Sequence, residues 1–396
     1  MIVLKTKGFT LVEILAVIII IGIVALIAVP TVTNIIKNQG TETFITNKRN
    51  VSTAAENYYK INIDLFPKNE YETTYISLDK LVREGYIDPI KNPTKPDISC
   101  RGYVEVFKDS GTDYDYITYL NCEEPYITEG YIDDITDPGI ATVIDGNNLT
   151  VIGYDKNHIQ MSGVGNNIEL TSQINLTSNF TIEYWFKSSR ETNWSLVNSS
   201  EHYNKSIGHT NATTIALWSP DITVTLDTGF KTNQWQHFAL VRQGTQVRVY
   251  RNGTLVGSNT WTGDLAIDRI GLTSTSSSWS AFDGSASDIR IWSVARTPSQ
   301  IKDLMLTGVS GSERGLEGYW PINEKEGTTI NNASNTNHGT ITGSTLVRGS
   351  GIRRIRINSE AWIYDNNHTF NLTTGSYTIT VEDNTGNQST KSVSIP

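Results

Sequence analysis

Residues 175–187 read NLTSNFTIEYWFK and residues 233–256 read NQWQHFALVRQGTQVRVYRNGTLV. In the first stretch Phe180, Ile182, Tyr184 and Phe186 alternate with Thr181, Glu183 and Trp185, the period-two pattern of a strand with one buried face. Trp185 then falls on the side opposite the core. In the second stretch the runs HFALVRQ and VRVYR alternate in the same way, burying Phe238, Leu240 or their neighbours, and Asn252-Gly253 follows as a strong hairpin signal. Working outward, short alternating runs such as NNIEL, WSLVNS, DITVTL, LAIDRIGL, DIRIWSV and GLEGYWPI continue through residues 156–345. Asn-Gly, Gly-Thr and Ser-rich turns separate them, which predicts two antiparallel sheets packed face to face.

The composition agrees. Nine Trp, abundant Thr, Asn, Ser and Tyr, only three Met and two Cys are the vocabulary of strands joined by polar turns. A chain of 396 residues has room for two or three domains. Lys plus Arg number 32 against 41 Asp plus Glu, a net charge of −9. That balance excludes a protein whose affinity comes from neutralising phosphates, so nucleic acid is not an expected partner.

The first 60 residues have a different character. Residues 14–29 (ILAVIIIIGIVALIAV) contain no ionisable or hydrogen-bonding side chain. A helix from Phe9 to Val29 spans about 31 Å, enough for a hydrocarbon core of about 30 Å and long for a cleaved secretory signal. The run nevertheless holds Glu13, which costs roughly 2.5–3.5 kcal/mol at mid-bilayer and has no role in a plain anchor. Beyond residue 31 the pattern turns amphipathic, with Val32, Ile35, Ile36, Phe44, Ile45, Val51, Ala54, Ala55, Tyr58 and Tyr59 at three- and four-residue steps. Residues 75–122 supply a cover: YISLDKLVREGYI reads as a short helix and turn, then GYVEVFK and YDYITYL as two strands.

Lys7-Gly8-Phe9-Thr10-Leu11-Val12-Glu13 followed by an apolar stretch resembles the class III leader of type IV pilins. The resemblance implies cleavage after Gly8 by a prepilin peptidase, a methylated N-terminus at Phe9, and Glu13 pairing with the terminal amine of a neighbouring subunit. It also implies loss of helical order between the helix-weakening Gly22 and Pro30 in a filament. The order GYIDPIKNP, C-x-GYVEV, Y-x-x-YL-x-C looks like the globular head of Gram-positive pilins. Residues 1–8 are then a leader and 9–122 an α+β pilin module, a long N-terminal helix (9–29 the membrane and polymerisation segment) plus a small antiparallel sheet. In an exported chain with two cysteines, Cys100 and Cys122 are expected to form one disulfide across that hairpin.

The two opening stretches, with GSASDIRIWSVARTPSQI (284–301) and RGLEGYWPINEKEGTTINNASNTNHGTITG (314–343), resemble the concanavalin A-like, laminin-G-like jelly-roll domains of bacterial surface proteins. The resemblance implies an all-β sandwich over 156–345 that binds glycans or proteins; some relatives are glycosidases. A retaining glycosidase needs two carboxylates about 5–5.5 Å apart, and no E-x-D-x-x-E run falls on an expected strand. Glu324 with Glu326 and Asp264 with Asp268 sit in or near turns. For sugar binding, Trp185, Trp235, Trp292 and Trp320 belong to the packing. Trp194, Trp218, Trp261 and Trp279 lie near turns and are the platform candidates, Trp218 and Trp279 foremost, with Asp221, His202 and Tyr203 beside them. Calcium is a common guest of the superfamily, and Asp221, Asp283 and Asp288 are the candidate ligands, without EF-hand spacing.

From Gly351 onward, and most of all in GSYTITVEDNTGNQS (375–389), the chain resembles the second half of a bacterial Ig-like domain. About 46 residues are too few for a sandwich of roughly 100. Residues 123–155 contain two further strand-like runs, ATVID and LTVIGY. These flanks are expected to pair, making 351–396 and 123–155 one small β-sandwich into which the jelly roll is inserted.

The whole reads as a minor pilin, expected at or near a filament tip, whose partners are other pilins, the prepilin peptidase and assembly machinery, the membrane before assembly, and host or surface glycans or glycoproteins. It is expected to be no enzyme, single-pass in the inner or plasma membrane at first and extracellular once assembled. Two rivals remain at this stage, a pilin whose jelly roll grips a protein or is purely structural, and a pseudopilin-borne hydrolase.

Overall fold

The computed structural model describes residues 11–67, 73–108, 113–129, 131, 138–199, 207–218, 220–272, 281–309, 311–324, 327–334 and 337–396. Helix α1 (Leu11–Ile61) runs 51 residues, about 76 Å at 1.5 Å per residue, unbroken across Gly22 and Pro30 in the single subunit. Its described apolar side chains from Leu11 to Leu26 are exposed. Among the described residues no helix is long and apolar enough to cross a membrane; the stretch expected to span begins at Phe9, outside them.

Farther along, α1 buries one face. Phe44, Val51, Ala54, Ala55, Tyr58 and Tyr59 pack on β1 (Thr73–Ser77), α2 (Leu78–Arg83), β2 (Arg101–Lys108) and β3 (Tyr114–Asn121). Tyr126 lies so close to Gly40 that a Cβ there would fall 2.0 Å from its hydroxyl, which explains a glycine in the middle of a helix. The sheet order is β1-β2-β3, antiparallel throughout. Strand β1 was not expected: its residues open the stretch read as helix and turn, and Ser77 ends the strand by capping α2, accepting from Lys80 N at 3.1 Å. Cys100 and Cys122 are joined in a disulfide.

Strands β4 (Gly139–Asp145) and β5 (Asn148–Tyr154) form a hairpin before the jelly roll begins. The jelly roll then runs through β6 (His158–Ser162), β7 (Asn166–Leu176), β8 (Asn179–Ser188), β9 (Val197–Asn198), β10 (Ile207–Asn211), β11 (Thr214–Leu217) and β12 (Ile222–Thr225). It continues through β13 (Gln236–Gln243), β14 (Gln246–Arg251), β15 (Thr254–Thr260), β16 (Leu265–Leu272), β17 (Asp283–Trp292) and helix α3 (Pro298–Thr307). It closes with β18 (Leu316–Trp320), β19 (Thr329–Ile330), β20 (Gly339–Thr342) and β21 (Thr345–Val347).

One sheet has the order β15-β14-β13-β8-β17-β6-β21, with β18 also on β17; the other is β19-β20-β7-β16-β9. A flap of β10-β11-β12 stands beside them. Register pairs Phe238 with Tyr184 and Leu240 with Ile182, and the Tyr184 and Phe238 rings stack at 4.9 Å. The predicted apolar face is therefore the core.

The opposite face of that sheet is covered as well. Thr181, Glu183 and Trp185 are all buried. Trp185 stacks on Tyr154 at 4.3 Å and clusters with Ala141, Val143, Ile152, Trp235 and Met305 of α3. Trp185 thus lies opposite the core face and is a packing residue, as read; what a single strand does not reveal is the layer that covers it.

The chain ends with β22 (Ile352–Ile357), β23 (Asn367–Asn371), β24 (Gly375–Asp383) and β25 (Gln388–Ile395). Two three-stranded sheets result, β22-β24-β25 and β23-β5-β4, with Leu149 opposite Phe370. They share a core of Ile140, Leu149, Val151, Ile355, Ile357, Phe370, Ile379, Val381 and Ile395. Where the chain enters and leaves the jelly roll, Ser350 N and Oγ donate to Asp155 Oδ2 at 2.9 and 2.8 Å. The N-terminal module is tied on at the same place. Tyr75 donates to Asn157 Oδ1 at 3.0 Å, Arg348 to Glu105 at 3.1 Å, and Arg353 reaches both Asp79 of α2 and Glu382 of β24.

Candidate ligand-binding and assembly surfaces

Glu13 sits in the first turn of α1 among exposed apolar side chains, where an acid is favoured by the helix dipole. Gly8 and Phe9 lie outside the described residues. An exposed apolar surface of this length requires a cover, from lipid or from other helices.

On the jelly roll, Trp218 directly follows β11 and is half-buried, its ring seated on Gly208, where a Cβ would fall 2.1 Å from Trp218 Cη2. Asp221 is exposed in the turn that follows. That turn is pinned from beneath: Trp261 Nε1 donates to Pro220 O at 2.7 Å, and Asn259 Nδ2 to Thr223 O at 2.6 Å. The Trp261 ring is itself buried with Arg242 above it at 5.3 Å, so Trp261 is a support rather than a platform. Trp194 is also corrected. It is buried, stacked on His209 at 3.5 Å and 10°, and burial holds the His209 imidazole well below its usual pKa. His202, Tyr203 and Trp279 lie outside the described residues.

The three candidate metal ligands are not brought together. Asp221 is in the flap turn, while Asp283 opens β17, its carbonyl accepting from Ser189 N at 2.9 Å. Asp288 is buried at a β-bulge with φ +50°. Its carboxylate accepts from Lys156 Nζ at 2.8 Å and from the Tyr319 hydroxyl at 3.0 Å. Burial pushes that carboxyl up, but Lys156 and Arg290 outweigh it and hold it below the usual range. Asp288 is thus an internal anchor, correcting its reading as a ligand. Among the described residues no group of three or more His, Cys, Asp or Glu could hold a metal ion.

Sequence reading missed the polar layer beneath α3. Glu183 is fully buried, accepts from Trp292 Nε1 at 2.9 Å, and lies 3.8 Å from Arg290 and 3.5 Å from His237. Burial raises its pKa against the pull of Arg290. Arg290 Nη1 in turn donates to Leu304 O of α3 at 3.1 Å. The signal was present as charges at outward positions of two apolar strands, Glu183 in FTIEYWF and Arg290 in DIRIW. The layer is sealed from solvent: Glu183 and Asp288 flank Arg290, and Arg290 ties α3 to the sheet.

The family model of the concanavalin A-like lectin/glucanases superfamily matches residues 162–302, and that of the prokaryotic N-terminal methylation motif matches residues 4–29. None of the curated proteins compared with the chain matches it. Among solved structures, a candidate carbohydrate-binding protein from Bacteroides ovatus is 16% identical, with 70% of this chain and 88% of that chain covered and a TM-score of 0.41. A heptameric SAP-like pentraxin from Limulus polyphemus is 15% identical over 49% and 96%, TM-score 0.37. Domain 4 of the arabinanase AbnA from Geobacillus stearothermophilus is 23% identical over 42% and 80%, TM-score 0.28. The chain thus joins a type IV pilin-type N-terminal methylation motif to a concanavalin A-like domain of the lectin/glucanases superfamily.

Proposed function

We propose that this chain is a minor subunit of a type IV pilus, carried at or near the tip, that displays its jelly roll for adhesion to host or surface glycans. The observation that carries the reading is the union of an apolar, exposed helix bearing Glu13 with a lectin-type sandwich tied to the same base by Tyr75, Arg348 and Arg353. Cleavage after Gly8 exposes Phe9, whose amine pairs with Glu13 of a neighbouring subunit, removing the cost of a carboxylate in lipid. In the filament, helical order is lost between Gly22 and Pro30. Repeating so large a β appendage along a shaft would crowd it, which favours the tip.

The sugar platform is Trp218 with Asp221, on a turn held rigid by Trp261. An aromatic face takes the apolar side of a pyranose and the adjacent polar group its hydroxyls. The chain performs no hydrolysis in this reading: its sequence holds no E-x-D-x-x-E run that would set two carboxylates side by side on one strand face. A glycan array probed with the detergent-solubilised full chain tests it: selective binding that is lost on Trp218→Ala is expected. Binding to intact host protein without any glycan signal, or release of reducing sugar, would overturn it.

A further inference from the structure

The outer face of the sheet β22-β24-β25 carries a row of alternating cations and aromatic rings. A short extended segment, residues 361–364, lies along the edge of β22, with Ile363 N donating to Ile355 O and Ile355 N to Ile363 O, both at 2.7 Å. Ile355 and Ile363 face the core of the small sandwich. The residues on either side of them therefore face away, Arg354 and Arg356 on β22 and Trp362 and Tyr364 on the segment. Arg354 and Arg356 lie 4.2 and 4.3 Å from the centre of the Trp362 ring. Arg354 is also 6.0 Å from the Tyr364 ring, and Arg83, at the end of α2, closes the row 4.3 Å from it.

We propose that this face is a second binding surface, distinct from the Trp218 turn, and that it takes a linear glycan carrying sulfate esters.

Stacking prepares a guanidinium for an anion. The ring covers its flat side, while its N–H groups lie in the plane and offer their edge to two oxygens of one oxyanion. Arg354 is already committed: it donates to Glu382 Oε2 at 2.8 Å, and Arg353 holds the other oxygen of that carboxylate. Arg356 differs. Its neighbour across the sheet is Thr380, and its Nε is buried without a hydrogen-bond partner. Arg83 is exposed at the other end of the row. Of the nearby acids, Asp365 lies 3.4 Å from Lys80, and Glu84 and Glu360 stand exposed, one next to Arg83 and one just ahead of Trp362 in the chain.

The rest of the face says what the anion is attached to. Exposed hydroxyls continue it, Thr378 on β24 and Thr390 and Ser392 on β25, and these suit the hydroxyls of a sugar chain lying across the strands. Arg354 and Arg356 are partly buried beside Trp362. A sulfate ester, set off from the sugar by its C–O–S arm, reaches a recessed guanidinium better than a carboxylate bonded directly to a ring carbon. A nucleobase would have to compete for each aromatic ring with two guanidiniums already against it.

The test is calorimetric titration of the detergent-solubilised full chain with a heparin decasaccharide, beside the same decasaccharide stripped of its sulfates, decaglutamate and a single-stranded DNA decamer. The sulfated chain is expected to bind, roughly tenfold or more tighter than each of the others, and to weaken as salt rises. Arg356→Gln and Arg83→Gln should each weaken it roughly tenfold, the worth of one charge-assisted hydrogen bond. Arg83→Gln alters an exposed side chain, so an effect there is not a folding artefact; unchanged thermal unfolding verifies this. No binding, equal binding of the desulfated chain, of decaglutamate or of the DNA, or indifference to both substitutions overturns the proposal. Trp218→Ala should leave binding of the sulfated chain intact, and its loss there would place that chain on the other site and overturn the proposal as well.

Discussion

Replacing Trp185 by alanine separates two accounts of the jelly roll. If its ring faced outward from an isolated sandwich, as the alternation of FTIEYWF alone suggests, truncation would change stability by no more than about 0.5 kcal/mol. Instead the ring is 1% exposed, stacks on Tyr154 at 4.3 Å and 24°, and meets His237 edge-on at 5.6 Å. Burial of a tryptophan at such a site is worth about 3–5 kcal/mol on truncation, of which the stacked pair supplies about 1. The loss falls on the junction with β4 and β5. Because a chain of several modules does not unfold in one step, the assay is amide hydrogen exchange of β4 and β5 in the full chain. Their protection should drop roughly a hundred- to several-thousand-fold, while β2 and β3 keep theirs. A fall of less than threefold at β4 and β5 would refute the packing argument.

Three further outcomes follow from the same contacts. Changing both Cys100 and Cys122 to alanine should destabilise the N-terminal module by about 3 kcal/mol, the chain-entropy value for a closure spanning 22 residues, visible as an early calorimetric transition; a loss below about 1 kcal/mol contradicts it. Burial and Arg290 push His237 down to about 3, below its unfolded value near 6.5, so the unfolded chain binds more protons between those limits. Jelly-roll stability should therefore gain up to about 1.4 kcal/mol per unit as pH rises through that window, a slope that His237→Gln removes; identical urea midpoints against pH for both proteins would contradict this. Arg353→Ala removes the contacts to Asp79 and Glu382 that bridge α2 and β24. It should loosen docking of the N-terminal module by about 2 kcal/mol, read as faster proteolysis after residue 123 with unchanged unfolding of the jelly roll, whereas an unaltered cleavage rate would contradict it.

Much of the architecture was legible along the chain because local patterns carry it. The 3.6-residue steps that place Val51, Ala54, Ala55, Tyr58 and Tyr59 on one face recur as the buried face of α1, and the alternation around Phe180 and Phe238 recurs as paired core residues. Periodicity reports which side of an element is apolar, and one apolar side is enough to predict that something covers it. Individual tryptophans were less legible. Trp194, Trp218 and Trp261 all lie near turns, yet only Trp218 is left half-exposed, because the neighbours that bury the others, His209 and Arg242, come from distant strands.

By itself, then, the sequence determined the long N-terminal helix with Glu13 as the one acid of its apolar run, the strand alternation of the jelly roll and the two cysteines at the ends of one hairpin, since each depends on residues close together in the chain. Only the tertiary structure decided that the outer face of β8 is a second interior, that Asp288 and Glu183 are buried anchors, and that Lys391 reaches across to β4. Those outcomes depend on which faces meet when β4, β5 and α3 close over the sheet. The contacting residues are as much as 251 positions apart, as Lys391 is from Ile140. The hydrophobic effect that drives the closure is non-directional and leaves no local mark of its partner.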